Sequence, residues 1–290
     1  MGKLAERIGF VGVGRMGSAL LKCVLDAGYH ATLCDPSEQA IAPFLTSHPE
    51  LVRVAAKPGE AAQVSDVIEV VVNTDPQLVA ACLGEDGILA GAKPGSVVLV
   101  HSTVSHQTLQ RLAEVAQTRG VHLLDAPVSG ARGHLSVGDL AVMVGGDAQA
   151  FARAKPVMQT YGGMVLHLGP LGAGLDAKLA INLLRYQVMA ASQEAALLAE
   201  RAGPGVSQAL AQLVAHTESN RFVGDMGARL SRMRELPLQQ RRKDAEVAQK
   251  DLRAAVARAA ELGFELPGAE GTVNLMHRLW GAEPPSDEKS

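Results

Sequence analysis

Two polar side chains, Lys178 and Asn182, interrupt the otherwise apolar helical stretch in HLGPLGAGLDAKLAINLL, residues 167–184. Four residues apart on a helix means one face and one turn, so an amine and an amide can converge on a single small ligand. Lysine is rarely buried. One with mostly apolar neighbours, or beside a second cation, has its pKa pushed down from about 10.4 towards neutrality, which would suit Lys178 to act as a general acid and base. A lysine that snorkels to solvent from a core helix has the same spacing. Gly172 and Gly174 just ahead let the start of the helix approach something closely.

A second group is the glycine spacing in IGFVGVGRMG. Gly12 would make a tight turn, Gly14 would let a pyrophosphate approach the backbone, and Gly17 would let the next helix pack on the sheet with phosphate at its N-terminus. Asp35 ends the following strand about 20 residues on. There it can accept hydrogen bonds from an adenosine ribose and repel a 2′-phosphate, favouring NAD over NADP. The plainer alternative is a glycine-rich turn in an unliganded sheet.

In HLLDAPVSGARGHL, residues 122–135, a strand ends at Asp125 and Pro127 stops the ladder. Ser129 and Gly130 then open a flexible turn at the carboxyl edge of the sheet, where backbone N–H groups and the Ser129 hydroxyl suit a carboxylate. An ordinary crossover loop has the same composition. QKDLRAA holds Lys250 and Asp251 and RRKDAE holds Lys243 and Asp244, both of which read as solvated charged faces. His101 and His106 flank STVS at a spacing unsuited to one helical face, the other histidines are scattered, and no metal site is expected.

The elements that must position these residues fall into two halves. From Arg7 to about Leu168 eight short apolar runs (IGFVGV, HATLCD, LVRVAA, VIEVVVN, SVVLVHS, HLLDAPV, AVMVGG, MVLHLG) alternate with helix-period pieces. That pattern gives a parallel sheet covered by helices. Gly28 and Gly120 sit where helix C-caps belong. Beyond Gly172, to about Trp280, the periodicity is helical only. The expected architecture is an α/β, Rossmann-like dinucleotide-binding domain over residues 1–170 and an all-α substrate and oligomerisation domain over residues 171–290, joined by a long helix. The last ten residues read as a frayed tail.

With 290 residues, 47% of them hydrophobic, the chain can build one or two domains with a sizeable core. A net charge of −3 offers no basic excess for a nucleic-acid backbone. Cys23, Cys34 and Cys82, an odd and widely spaced set, read as reduced thiols, with no zinc pattern. No signal-peptide pattern and no apolar run of about 18 residues is present, so a cytoplasmic protein without membrane contact is expected.

Taken in order, FVGVGRMG, HSTVS, DAPVSG, GPLGAGLDAKLAIN and KDL closely resemble the motifs of the β-hydroxyacid dehydrogenase family, and the likeness covers nearly the whole chain. The resemblance implies NAD laid along Gly12, Val13, Gly14, Arg15, Met16 and Gly17, its ribose on Asp35, with Thr103 beside the nicotinamide and Lys250, rather than Lys243, near the cofactor. It implies Ser129 and Gly130 on the substrate carboxylate, Asn182 on the substrate, and Lys178 as the catalytic lysine. The implied reaction is hydride transfer between the nicotinamide and a small 3-hydroxy acid or its semialdehyde, of the 3-hydroxyisobutyrate or tartronate semialdehyde kind. On that account the glycines before Lys178 admit cofactor and substrate. The resemblance also implies a homodimer or homotetramer formed through the alanine- and leucine-rich helical half, whose apolar faces need cover. The chain departs from the family at Cys23 and Leu183, where an Asn is usual, and at Ala131, where a Gly is usual. Arg132 adds a cation that would accommodate a second anionic group. Imine reductases of related fold, which typically carry Asp or Tyr at the Lys178 position, and a non-catalytic dinucleotide-binding regulator are the alternatives. The Lys178, Asn182 and Ser129 set argues against both.

Overall fold

The computed structural model describes residues 6–130, 140–216 and 235–282. The chain divides into two compact units, Met1–Lys178 and Leu179–Ser290. In the first, β1 (Ile8–Val11), β2 (Ala31–Cys34), β3 (Val52–Val54), β4 (Val67–Val70), β5 (Val97–Val100) and β6 (His122–Asp125) are all parallel and stand in the order 3-2-1-4-5-6. This is the doubly wound dinucleotide-binding order. Its switch point lies between β1 and β4, so a crevice opens at their carboxyl ends. The short helices α1 (Arg15–Asp26), α2 (Glu38–Ser47), α3 (Pro58–Gln63), α4 (Asp75–Cys82), α5 (Ile88–Gly91) and α6 (His106–Thr118) make the crossovers.

Strand periodicity sorts the core into two clusters. Ile8, Phe10, Val67, Val97 and Leu99 pack with Leu20, Leu21, Leu33 and Tyr161 in one. Their strand neighbours Val11, Ile68, Val70, Val98 and Val100 pack with Leu78, Ile88 and Leu109 in the other. Each such side chain contributes about 1.5–3 kcal/mol on burial. Gly28 and Gly120 follow helices α1 and α6 with φ of 88° and 65°, the left-handed conformation of a C-cap glycine.

One local expectation is corrected. Ser129 and Gly130 do not open a flexible turn; Val128–Gly130 is a strand, β7, antiparallel to β8 (Leu140–Gly145), with Ser129 opposite Ala141 and Gly130 opposite Leu140. Pairing resumes past Pro127 because proline lacks only its N–H; its carbonyl still accepts from Met143 N at 3.1 Å. Helix α7 (Ala148–Met158) and strand β9 (Gly162–Gly169), parallel to β8, complete the sheet.

Helix α8 (Ala173–Ala202) is 30 residues, about 45 Å, long. Leu175, Leu179, Asn182, Tyr186, Met189 and Gln193 are buried along it at spacings of three and four, which keeps them on one stripe. In the helical unit Tyr186, Met189 and Ala190 pack with residues of α10 (Leu238–Glu261) and α11 (Pro267–Leu279), among them Ala248, Leu252, Val273 and Met276. Helix α9 (Pro204–His216) buries no residue at all. Among the described residues no helix is long and apolar enough to cross a membrane.

Candidate functional site

The three glycines after β1 answer to different constraints. Gly12 has φ +91°, and a Cβ there would overlap the Val71 carbonyl oxygen. A Cβ on Gly17 would overlap the Gly12 carbonyl oxygen and press on Phe10. Gly14 is different: its φ of −68° suits any residue, and a Cβ would meet nothing within 4 Å. Among the described residues nothing requires that glycine. The open space lies at the start of α1, whose N-cap is Gly14, with no side-chain cap and no acid in the first turn. The helix N-terminus and the positive end of its dipole face that space, and a pyrophosphate fits it.

Asp35 lies at the carboxyl end of β2. Its carboxylate accepts from Val13 N at 2.6 Å and Ser37 N at 2.8 Å, so it pins the glycine turn. The next loops are tied in the same way. Ser102 Oγ donates to Val72 O at 2.7 Å and accepts from Val72 N at 3.1 Å. Asp75 accepts from both the amide and the hydroxyl of Ser105, at 3.0 and 2.7 Å. Half-buried Thr103 sits between these two ties, on the carboxyl side of β5.

Lys178 lies in the second turn of α8, and Nζ donates to Val128 O at 2.8 Å. The lysine therefore does not simply snorkel to solvent; it reaches β7, whose next residues are Ser129, half-buried, and Gly130, exposed. Arg132 and Ala131 lie outside the described residues. The start of α8 is held by Asp125, a residue given no role in the sequence reading. Only 2% exposed, its two oxygens accept from Gly172 N and Leu175 N, each at 2.7 Å. Burial raises its pKa, against the pull of those amides, which lower it. The two glycines also meet constraints inside the protein: Gly172 has φ +96° and a Cβ there would stand 3.1 Å from His106 Cδ2, while Gly174 lies against Asp125. A Cβ on Gly174 would overlap the Met143 carbonyl oxygen and stand 2.9 Å from Asp125 Oδ2; one on Gly145 would overlap Asp125 Oδ1. The signal available in sequence was an acid closing a buried strand just before a proline.

In the helical unit Asn182, 2% exposed, donates from Nδ2 to Asp251 Oδ2 at 2.8 Å. A carboxylate only accepts, which fixes the amide's orientation. The Asn182 Oδ1 atom is buried and has no hydrogen-bond partner among the described residues. Asp251 is 5% exposed, so KDL is no solvated face. Half-buried Lys250 has Nζ 3.6 Å from Asp251 Oδ1, whereas Lys243 is exposed. Of the departures from the family pattern, Cys23 is buried and donates to Ala19 O, and Leu183 packs against the helical core.

Comparison with known proteins bears on the family. The family model for the NAD binding domain of 6-phosphogluconate dehydrogenase matches residues 7–169. An uncharacterized oxidoreductase of Mycobacterium tuberculosis is 33% identical over 97% of this chain and 96% of its own. The NAD-dependent L-serine dehydrogenase of Pseudomonas aeruginosa is 34% identical over 67% of this chain and 64% of its own. Among solved structures, M. tuberculosis 3-hydroxyisobutyrate dehydrogenase with L-serine superposes with a TM-score of 0.79 at 25% identity, covering 96% of this chain and 94% of that one. A glycine turn with space for a pyrophosphate and matches that span the chain lead to one statement: the chain belongs to the β-hydroxyacid dehydrogenase family of NAD-binding oxidoreductases.

Proposed function

We propose that the protein transfers a hydride between NAD and a small 3-hydroxy acid or its semialdehyde, of the 3-hydroxyisobutyrate, L-serine or tartronate semialdehyde kind. The observation that carries the reading is Lys178 Nζ, held on the Val128 carbonyl by a helix whose first turn is clamped to Asp125, beside the strand that carries Ser129. Bound NAD supplies the hydride acceptor. Lys178 takes the hydroxyl proton during oxidation and returns it to the developing alkoxide during reduction, help worth roughly 10² to 10⁴ in rate. The Ser129 hydroxyl and the backbone at Gly130 hold the substrate carboxylate. In the helical unit Asn182 Oδ1, a buried acceptor with no donor among the described residues, serves a substrate hydroxyl, and Lys250 serves the cofactor. Thr103 packs beside the nicotinamide, and Asp35 takes the ribose hydroxyls and disfavours NADP. A second copy of the chain covers helix α9, whose Val206 and Leu213 are exposed. Three buried free thiols suit the reducing cytoplasm.

The test is initial rates of wild type and Lys178→Ala with NAD⁺ and NADP⁺ across a panel of 3-hydroxy acids, and with NADH and NADPH and the matching semialdehydes in reverse. Turnover that prefers NAD⁺ and falls at least about 10²-fold in the variant is expected. A variant within a few-fold of wild type overturns the role of Lys178, and an inert wild type overturns the substrate class.

A further inference from the structure

A carboxylate lies in the interior of the sheet. Glu69, in β4, is fully buried on the same side as Val67 of its own strand and Leu99 of β5. Left alone there, it would cost several kcal/mol. Instead Tyr161 Oη donates to it, 3.1 Å from both oxygens, and His101 Nε2 makes a short contact with Oε2. The other imidazole nitrogen, Nδ1, stands 2.6 Å from the Ala126 carbonyl oxygen. A carbonyl only accepts, so Nδ1 carries a proton. The His101 Nε2 contact with Oε2 joins the imidazole and the carboxylate into one buried chain of polar groups. Burial, reinforced by Glu69, holds the Tyr161 phenol well above its ordinary pKa, so it remains a donor.

The ends of this chain of hydrogen bonds are informative. The β5–β6 ladder finishes where Ala126 N donates to Val100 O at 2.8 Å. His101 Nδ1 then extends the tie one step further, onto the carbonyl of the same Ala126. On one side His101 leads directly into Ser102 and Thr103. On the other, Ala126 lies between Asp125, which grips the start of α8, and Val128, which holds Lys178. We propose that Glu69, His101 and Tyr161 are positioning residues, a buried hydrogen-bonded relay that locks the 102–105 loop to the 126–130 segment and so fixes Thr103 relative to Lys178. The proposal rests on the proposed function for the meaning of that spacing, but not for the existence of the lock.

Three variants test it. His101→Phe removes the bridge and strands the carboxylate. Glu69→Gln keeps a polar partner for both neighbours, because the Gln amide N–H can donate to His101 Nε2 while its carbonyl accepts from Tyr161. Glu69→Leu/His101→Phe/Tyr161→Phe removes the relay without stranding a charge, and stands in should His101→Phe fail to fold. Amide hydrogen exchange in the full chain is expected to quicken about 10-fold in segments 102–105 and 126–130 of the triple variant, with the β1–α1 segment unchanged. With the preferred substrate, kcat is expected to fall about 10- to 100-fold while the NAD dissociation constant stays within about threefold. Glu69→Gln is expected to match wild type in both. Exchange that quickens evenly across the unit, a triple variant with wild-type exchange, or a Glu69→Gln variant as impaired as the triple overturns the relay. The exchange comparison decides the matter alone, so a wild type inert towards every hydroxy acid counts against the proposed function and not against the relay.

Discussion

Replacing Gly14 with alanine separates the cofactor cradle from the fold that carries it. The added methyl meets no protein atom within 4 Å, and φ is already −68°. Its cost to the fold is that of exchanging Gly for Ala at a helix N-cap, less than about 1 kcal/mol. To a pyrophosphate the same methyl denies the close approach that lets backbone N–H groups reach it. Losing one such charge-assisted hydrogen bond costs about 1.5–3 kcal/mol, which raises the NAD dissociation constant about 10- to 150-fold. Calorimetric titration at fixed salt measures that constant, with a thermal melt in parallel. Gly12→Ala is the control. There the methyl would overlap the Val71 carbonyl oxygen at φ +91°, so the melt drops sharply whatever the cofactor does. A Gly14→Ala protein that binds NAD as wild type does, or that melts as early as Gly12→Ala, refutes the reasoning.

Asp125→Asn removes the charge from the start of α8 and leaves one of two buried amides without its acceptor; a loss of about 1–3 kcal/mol on unfolding is expected, with kcat falling more than NAD affinity. Asp35→Ser removes the repulsion of a 2′-phosphate, and the NAD⁺ over NADP⁺ preference in kcat/KM is expected to shrink at least about 10-fold; an unchanged ratio would detach Asp35 from the ribose. Burial pushes the Cys23 thiol up to about 11 and the Cys82 thiol up to about 12. Because the folded values lie above the unfolded one, the stability they contribute is full below about pH 9 and is lost as pH rises towards 11 to 12. A melting temperature that falls over that window, with both thiols inert to a thiolate reagent at pH 8 until the chain unfolds, is the expected outcome.

Local features were legible before the structure. The β1 run, the glycine spacing and Asp35 all lie within one strand–helix–strand unit, where periodicity and spacing act directly. The features that escaped join distant parts of the chain. Gly172 meets Asp125 across 47 positions, Asn182 meets Asp251 across 69, and Tyr161 meets Glu69 across 92. His101 was set aside because its spacing to His106 was judged on a helix. It follows β5, where the two-residue period from Val97 and Leu99 puts its ring on the same inner face as Glu69. Pro127 misled for a similar reason: it blocks one donor in a ladder, while its carbonyl and the following residues pair freely with β8.

The proposed function turns on the Lys178 amine moving the substrate proton. The most direct measurement is turnover of Lys178→Ala in the presence of small primary amines of graded basicity, with NAD affinity followed alongside. Unchanged NAD binding, turnover at least about 10²-fold below wild type, and recovery that rises with the concentration and basicity of the added amine are expected. A variant that keeps wild-type turnover without amine, or one that binds NAD normally and is not rescued by any of them, would contradict it.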